Sequence, residues 1–218
     1  MLSDQLSQGS EQLGIDLTNE QHDKLLAYIA LLAKWNKVYN LTAIKLPELM
    51  VSHHLLDSLV LSPLLEQRQN RTLATRVIDV GTGAGLPGIP LSIVLPEYHF
   101  CLLDSNGKKS RFLTQAKIEL ELENCTPVNE RIECYQPEEK YDIVMSRAFS
   151  SLIDFFTLSR HLLKSNGEYW AMKGKYPKDE LKNLTSDYKI QHIQTLSVPT
   201  VDKERHLLIA THQFAERS

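Results

Sequence analysis

The chain has 218 residues, of which 42% are hydrophobic and 23% charged, and its net charge is −3. This length suits one domain with an appendage, and the composition excludes disorder of the bulk chain. Its apolar runs end well before the about 20 residues that a membrane span needs, and its start resembles no secretion signal, so we expect a cytoplasmic protein without membrane association. The net charge gives no global attraction to nucleic acid, so such a partner would require local basic patches.

Cysteine and histidine positions show no pattern of metal ligands. Cys101, Cys125 and Cys134 match no zinc-ligand spacing, and the adjacent His53 and His54 would point in different directions on a helix. We therefore expect reduced cysteines and no metal.

The first part of the chain contains only helical patterns. Apolar residues at the 3.6-residue period, preceded by a capping box of Thr18 and Gln21, predict one helix over 19–39. Residues 46–65 predict further helix. We therefore expect a helical extension over residues 1–70.

The pattern changes near residue 75, where short apolar runs begin to alternate with longer amphipathic stretches. This alternation predicts a parallel sheet covered by helices on both faces, in a doubly wound α/β domain over 71–218. Two final strand-like runs have no helical pattern between them, which predicts an antiparallel pair. The apolar runs are 77–80, 99–103, 142–145 and 168–172, the amphipathic stretches are 107–122 and 151–164, and the final runs are 189–198 and 206–212.

Four of the nine glycines lie within residues 81–88, directly after the first predicted strand. A strand that turns sharply into a helix while its backbone contacts a ligand needs positive φ angles and no side chains. The spacing of Gly83, Gly85 and Gly88 also matches the dinucleotide fingerprint. Asp104 ends the next predicted strand, where a dinucleotide or S-adenosylmethionine would present its ribose hydroxyls. The loop therefore predicts NAD or S-adenosylmethionine.

Two further features favour S-adenosylmethionine. Asp79, two residues before the first glycine, would repel a pyrophosphate but can order the loop or meet a cationic amino-acid group. Arg131, Ile132 and Glu133 follow what should be the third strand, where a backbone N–H and a carboxylate can bind adenine. Both features suit a methyl donor that carries a sulfonium and an ammonium.

Together these residues resemble the bacterial small-subunit ribosomal RNA guanine-N7 methyltransferases, long called the glucose-inhibited division protein B family. The glycine loop is specific only to the superfamily. The combination of Lys-Trp-Asn-Lys at 34–37, Gly-Leu-Pro-Gly at 85–88 and Ser-Arg-Ala at 146–148 is specific to the family. His-Leu-Leu-Asp-Ser at 54–58 and Glu-Arg-His at 204–206 extend the resemblance over most of the chain.

The resemblance implies a class I S-adenosylmethionine-dependent methyltransferase, with a Rossmann-like, mainly parallel seven-stranded sheet, an antiparallel C-terminal strand and an N-terminal helical extension. Its reaction would methylate N7 of guanine 527 in 16S ribosomal RNA, alone or in an assembled small subunit, and would release S-adenosylhomocysteine. We also expect a monomer. The cofactor contacts that it implies are Gly81, Leu86, Ile132, Glu133 and Arg147. The glycine loop and the Leu-Asp-Ser motif at 103–105 add Gly83, Gly85, Asp104 and Ser105.

Two basic clusters without acids follow predicted strands, at 105–116 and around Gly174. Each alone is compatible with a solvated surface, but both belong to the sheet edge where an open α/β fold binds ligands, and a cationic edge suits a phosphate-rich substrate. Guanine N7 has its own lone pair, so orientation would dominate catalysis, with Arg147 and Lys173 in positioning roles. The predicted RNA contacts are Lys34, Lys37, Lys108, Lys109, Arg111, Lys173 and Arg205.

Two other functions remain open at this point. A nicotinamide-dependent oxidoreductase would use the overlapping glycine fingerprint, and a non-catalytic RNA-binding assembly factor would retain the fold without turnover. Binding of S-adenosylhomocysteine rather than NAD(H) would separate the methyltransferase from the first, and only turnover would separate it from the second.

Overall fold

The structure is a computed structural model that describes residues 1–68, 75–147, 149 and 151–213. Its strands are β1 (Arg76–Val80), β2 (His99–Leu103), β3 (Cys125–Val128), β4 (Tyr141–Ser146), β5 (Leu163–Lys173), β6 (Tyr188–Thr195) and β7 (His206–His212). They form one sheet in the order β3-β2-β1-β4-β5-β7-β6, in which β7 is antiparallel to both its neighbours and the remaining pairs are parallel. The predicted mainly parallel seven-stranded sheet with an antiparallel C-terminal strand is confirmed.

Helices form the N-terminal extension and connect the strands, except between β3 and β4 and between β6 and β7, where the structure has no helix. In chain order they are α1 (Leu2–Gln12), α2 (Asn19–Tyr39), α3 (Pro47–Met50), a π-helix (Val51–Leu56), α4 (Asp57–Leu59), α5 (Ser62–Glu66), α6 (Gly88–Val94), α7 (Gly107–Glu119), α8 (Leu152–Ser159), a 3₁₀-helix (Arg160–Leu162) and α9 (Lys178–Lys182). In the described ranges, no helix combines the length and the apolarity that a membrane span requires.

Helix α2 has the predicted bounds and the predicted cap. The Thr18 side chain accepts a hydrogen bond from the Gln21 backbone N–H (3.2 Å), and the Gln21 side chain accepts one from the Thr18 backbone N–H (3.0 Å). Two otherwise unpaired donors of the first turn are thereby satisfied, which is why the helix begins there.

The helix expected over 46–65 is instead interrupted, with a π-helix in its middle and a turn before α5. Apolar spacing does not distinguish an α turn from the wider π turn, so the sequence could not reveal this break. Buried polar contacts stabilise the wider turn: His54 Nε2 lies 2.9 Å from Thr42 Oγ1, and Ser58 Oγ donates to the His54 carbonyl (2.6 Å).

The two faces of the sheet bury separate apolar clusters. On β1, Val77 joins a cluster with α1, α2, α6 and α7, whereas Ile78 and Val80 join a second cluster with α8. Successive side chains of a strand point to opposite faces, so the expected covering of both faces is confirmed. The N-terminal helices thus share one apolar core with α6 and α7. The proposed boundary between residues 70 and 71 lies outside the described residues.

Candidate functional site

A cavity of about 360 Å³ lies at the carboxyl ends of β1, β2 and β3. This is the edge where the loops of an open α/β sheet bind ligands. The cavity brings together five of the predicted cofactor residues, together with one predicted RNA contact, Lys109. The five are Gly81, Asp104, Ser105, Ile132 and Glu133.

The lining of this cavity combines apolar and acidic side chains. Ile132, Phe149 and Leu158 supply apolar surface, while Asp104 and Glu133 supply carboxylates. A nucleoside needs both, because its ring packs on apolar walls and its hydroxyl and amino groups donate to acceptors. The cavity therefore fits the adenosine part of S-adenosylmethionine in chemistry as well as in position.

The glycines of the loop have different surroundings. Gly81, Gly83 and Gly85 all have positive φ, of 68°, 66° and 87°. A Cβ on Gly83 would lie 3.9 Å from Lys109 Nζ and 4.0 Å from the Gly81 carbonyl oxygen, and both of these residues line the cavity. Gly83 therefore presents bare backbone to open space, which a ligand can approach.

Gly85 and Leu86 instead face the protein interior. A Cβ on Gly85 would overlap the Ile89 side chain and lie 2.9 Å from Leu113 Cδ2, and Leu86 is 4% exposed within the apolar cluster. Neither residue lines the cavity, and neither does Gly83, but Gly83 alone has open space beside its backbone. Their surroundings indicate that they pack the loop against α6 and α7, and the prediction of direct cofactor contacts there gains no support from the geometry.

Asp79 orders the loop from beneath. Its buried carboxylate accepts hydrogen bonds through Oδ2 from Thr82 Oγ1 (2.7 Å) and from the Gly88 backbone N–H (2.9 Å). Burial raises its pKa to about 6, although these two hydrogen bonds and the charge of Arg147 act in the opposite direction. Of the two roles considered for Asp79, loop ordering is the one that these contacts show.

Asp104 links the glycine loop to the start of α7. Its Oδ2 accepts from the Gly83 N–H (2.9 Å) and from Lys109 Nζ (3.4 Å), while its Oδ1 accepts from the Asn106 N–H (2.9 Å). The carboxylate expected to bind ribose is thus fixed at the cavity wall by three donors. Lys109, predicted as an RNA contact, is half-buried beside it and belongs to the cavity.

Tyr28 is a contributor that sequence reasoning missed. Its hydroxyl, on α2, donates to the Ala84 carbonyl of the glycine loop (2.8 Å), and burial raises its pKa. The available signal was a tyrosine on the apolar face of an amphipathic helix, because a buried hydroxyl requires a partner. The N-terminal extension therefore supports the backbone of the loop directly.

Arg147 and Arg205 both contact Asp57 at the start of α4. Arg147 Nη1 lies 2.9 Å from Asp57 Oδ2, and Arg205 Nε lies 2.6 Å from Asp57 Oδ1. Arg147 was expected as a cofactor contact with a positioning role and Arg205 as an RNA contact, and the structure brings the two side chains to one carboxylate. Asp57 was missed, although a lone carboxylate within the apolar run 55–61 signals a buried charge that must be paired.

Lys173 differs from its expected role as an exposed cation. Its Nζ donates to Glu180 Oε2 (2.8 Å) and to the Phe149 carbonyl (3.2 Å), and its side chain is 11% exposed. The cluster around Gly174 is acid-free in sequence only, because α9 folds Glu180 back onto it. Lys173 therefore anchors the Phe149 backbone to α9, while its roles in positioning and in RNA contact stay predictions.

Exposed cations lie on two helices that pack together. Trp35 of α2 contacts Phe112 of α7, with ring centroids 5.8 Å apart, so Trp35 is a packing residue between these helices. Four exposed cations on these two helices form no ion pair within 4 Å in the described parts of the chain. They are Lys34, Lys37, Lys108 and Arg111, all predicted RNA contacts, and we call them the α2–α7 basic surface.

Sequence relatives identify the family. A family model described as GidB, rRNA small subunit methyltransferase G, matches residues 21–208. A Pseudomonas syringae pv. tomato protein named Ribosomal RNA small subunit methyltransferase G is 52% identical, over 94% of this chain and 94% of its own length. A protein of the same name from Ectopseudomonas mendocina is 50% identical, over 95% and 94% respectively.

Solved structures with low sequence identity share the fold. TrmN from Thermus thermophilus has a TM-score of 0.57 at 16% identity, covering 72% of this chain and 49% of its own. TrmK from M. capricolum, in complex with S-adenosylhomocysteine, has a TM-score of 0.54 at 15% identity, covering 70% and 67%. The fold is that of the class I S-adenosylmethionine-dependent methyltransferases. The family model and the sequence relatives match most of the chain, which shows that the chain belongs to the rRNA small subunit methyltransferase G family.

Proposed function

We propose that this protein transfers a methyl group from S-adenosylmethionine to N7 of a guanine in the 16S RNA of the small ribosomal subunit. Guanine 527 is the target that the family resemblance implies. The observation that carries the proposal is the cavity at the carboxyl edge, where Gly81, Asp104 and Glu133 meet beside the open side of Gly83. Relatives about half identical over nearly their whole length are named for methylation of small-subunit ribosomal RNA.

The residues of the cavity can bind and orient the cofactor, which would supply an electrophilic methyl group. Glu133 would accept a hydrogen bond from the adenine amino group, with Ile132 packed against the ring. Asp104 would accept from ribose hydroxyls while it continues to hold the Gly83 N–H (2.9 Å). The carboxylates of the cavity, together with Asp79 beneath the loop, favour a cationic ligand over a pyrophosphate.

Nucleophilic attack by guanine N7 requires no proton acceptor. Its lone pair forms the new bond to the methyl carbon, the carbon–sulfur bond breaks, and the electron pair of that bond stays on sulfur. The positive charge passes from the sulfonium to the base. The task of the protein is therefore orientation, which can contribute about 7–11 kcal/mol when the reacting atoms are held in line.

The α2–α7 basic surface is proposed to bind the phosphate backbone of the substrate. Its four side chains are exposed, and within the described chain no ion pair offsets their positive charge. Lys173 and Arg205, in contrast, each pair with a carboxylate. Local cations of this kind can bind RNA in spite of the net charge of −3. Lys34 and Lys37 lie on the N-terminal extension, so that segment would take part in substrate binding.

A direct assay uses small subunits from a strain that lacks the corresponding gene, incubated with the protein and S-adenosylmethionine. We expect one N7-methylguanine, detected as strand scission at a single site after borohydride and aniline treatment. Methylation of an exocyclic amine or a ribose hydroxyl would overturn the mechanism, because either needs a proton acceptor. Absence of turnover would favour the assembly factor.

A ligand comparison tests the oxidoreductase alternative. S-adenosylhomocysteine at 100 times its dissociation constant should stabilise the protein by about 2.7 kcal/mol, which is measurable as a rise in thermal midpoint. Stabilisation by NAD(H) in its place would contradict the proposed cofactor.

A further inference from the structure

Asp57 joins three distant segments of the chain through one carboxylate. Its side chain is 2% exposed, and each oxygen contacts a different guanidinium group, at 2.9 Å for Arg147 and 2.6 Å for Arg205. Arg147 directly follows β4, and Arg205 directly precedes β7. The carboxylate therefore holds side by side two cations that would repel each other without it.

The π-helix that precedes Asp57 also contacts Arg147. Asp57 directly follows the π-helix, whose His53 carbonyl lies 3.4 Å from Arg147 Nη1. Segments of π-helix inside α-helices are frequent at functional sites. Burial, followed by the charge of Arg147, lowers the pKa of His54 to about 4, so this histidine remains neutral beside the arginine at neutral pH.

Part of each guanidinium group remains available for a ligand. Within the described chain, Nη2 of Arg147 and of Arg205 and Nε of Arg147 have no hydrogen-bond partner, and the two side chains are 27% and 18% exposed. Two guanidinium groups and one carboxylate leave a local charge of about +1, and a planar guanidinium matches the geometry of a phosphate. Neither arginine lines the cofactor cavity.

We propose that Asp57 is a positioning residue for the methyl transfer inferred above, and that it holds Arg147 and Arg205 so that their remaining N–H groups bind a phosphate of the RNA substrate. This inference rests on the proposed function. Asp57 touches neither substrate nor cofactor in this scheme and acts only through the two arginines. Displacement of a positioning group by about 1 Å can lower a rate about 100-fold.

The test compares Asp57→Asn with Asp142→Asn in methylation of small subunits. Asp142 is a matched control, because its carboxylate also pairs with a cation, Lys164 (2.9 Å), but lies near the amino end of β4. We expect Asp57→Asn to lower kcat about 10- to 100-fold. Its KM for the subunit should stay the same or fall, because a negative charge is removed. The dissociation constant of S-adenosylhomocysteine should stay within threefold, and Asp142→Asn should keep the wild-type kcat.

Normalisation separates positioning from a merely structural role. The rate is expressed per molecule that binds S-adenosylhomocysteine, so loss of folded protein does not count as loss of kcat. A wild-type rate per binding-competent molecule in Asp57→Asn would overturn the proposal.

A second variant covers the case in which Asp57→Asn does not fold or the wild-type protein shows no turnover. Arg205→Met should reduce the slope of log affinity for RNA against log salt by about 0.7–0.9, the value for one phosphate contact. An unchanged slope would refute the phosphate contact whether or not the protein is a methyltransferase. If Arg205→Met reduces the slope by the expected amount but the wild-type protein does not methylate small subunits, the result would count against the proposed function alone.

Discussion

Alanine substitution at Gly83 should weaken cofactor binding with only a modest loss of stability. A left-handed backbone costs an alanine about 1–2 kcal/mol, and the φ of Gly83 is 66°. The added Cβ would have no atom nearer than 3.9 Å, so no overlap adds to this cost. At Gly85 the same change combines a φ of 87° with overlap of Ile89. Overpacking adds about 1–3 kcal/mol, which gives a loss of about 2–5 kcal/mol.

Thermal unfolding with and without S-adenosylhomocysteine separates the two effects. For a chain of this size 1 kcal/mol shifts the thermal midpoint by about 2–4 °C. Gly83→Ala should therefore lower it by about 2–8 °C and weaken ligand affinity at least tenfold, and Gly83→Arg should abolish binding. Gly85→Ala should lower the midpoint further but keep most of the ligand response. Gly174→Ala is the control, because its Cβ would meet nothing within 4 Å.

Wild-type affinity in Gly83→Ala would refute this reasoning, because it would show that the open side of the loop is not where the cofactor lies. Equal losses of affinity at Gly83 and Gly85 would also contradict it, since they would mean that general distortion of the loop explains both.

Three further predictions concern other parts of the site. Tyr28→Phe leaves the Ala84 carbonyl without its buried donor, so unfolding experiments should show a loss of about 1–3 kcal/mol and a weaker response to S-adenosylhomocysteine. Burial raises the pKa of Asp79 from 3.8 to about 6, so the native state binds this proton more tightly than the unfolded state. The thermal midpoint of the wild type relative to Asp79→Asn should therefore fall as pH rises from about 4 to 6, and a flat difference would contradict this. Lys108→Gln with Arg111→Gln should reduce the salt slope of RNA binding by about 0.7–0.9 for each phosphate that is no longer neutralised, without changing cofactor affinity.

The features that the sequence could predict depend on short stretches of chain. Asp104 and Glu133 each follow a strand, and parallel strands bring their carboxyl ends to one edge, so their meeting in one cavity followed from local patterns. The cap of α2 is equally local, since Thr18 and Gln21 are three residues apart.

The features that were missed depend on contacts between distant residues. Tyr28 and Ala84 are 56 residues apart, and Asp57 and Arg205 are 148 apart. Contacts between residues so far apart leave no periodic pattern in the sequence. The ion pair of Lys173 was missed for a related reason: its partner, Glu180, lies in the next helix and returns to it only through the turn after β5.

The position of β7 determines when the site can be completed during synthesis. This strand, the last in the described residues, lies between β5 and β6, and it pairs with β5 along Tyr169–Lys173. A nascent chain that ends before β7 leaves that edge of β5 open, and exposed strand edges promote association with other chains. Arg205 directly precedes β7, so the contact with Asp57 also cannot form before this late segment has been synthesised. An incomplete chain can therefore contain every residue of the cofactor cavity while it still lacks the paired arginines.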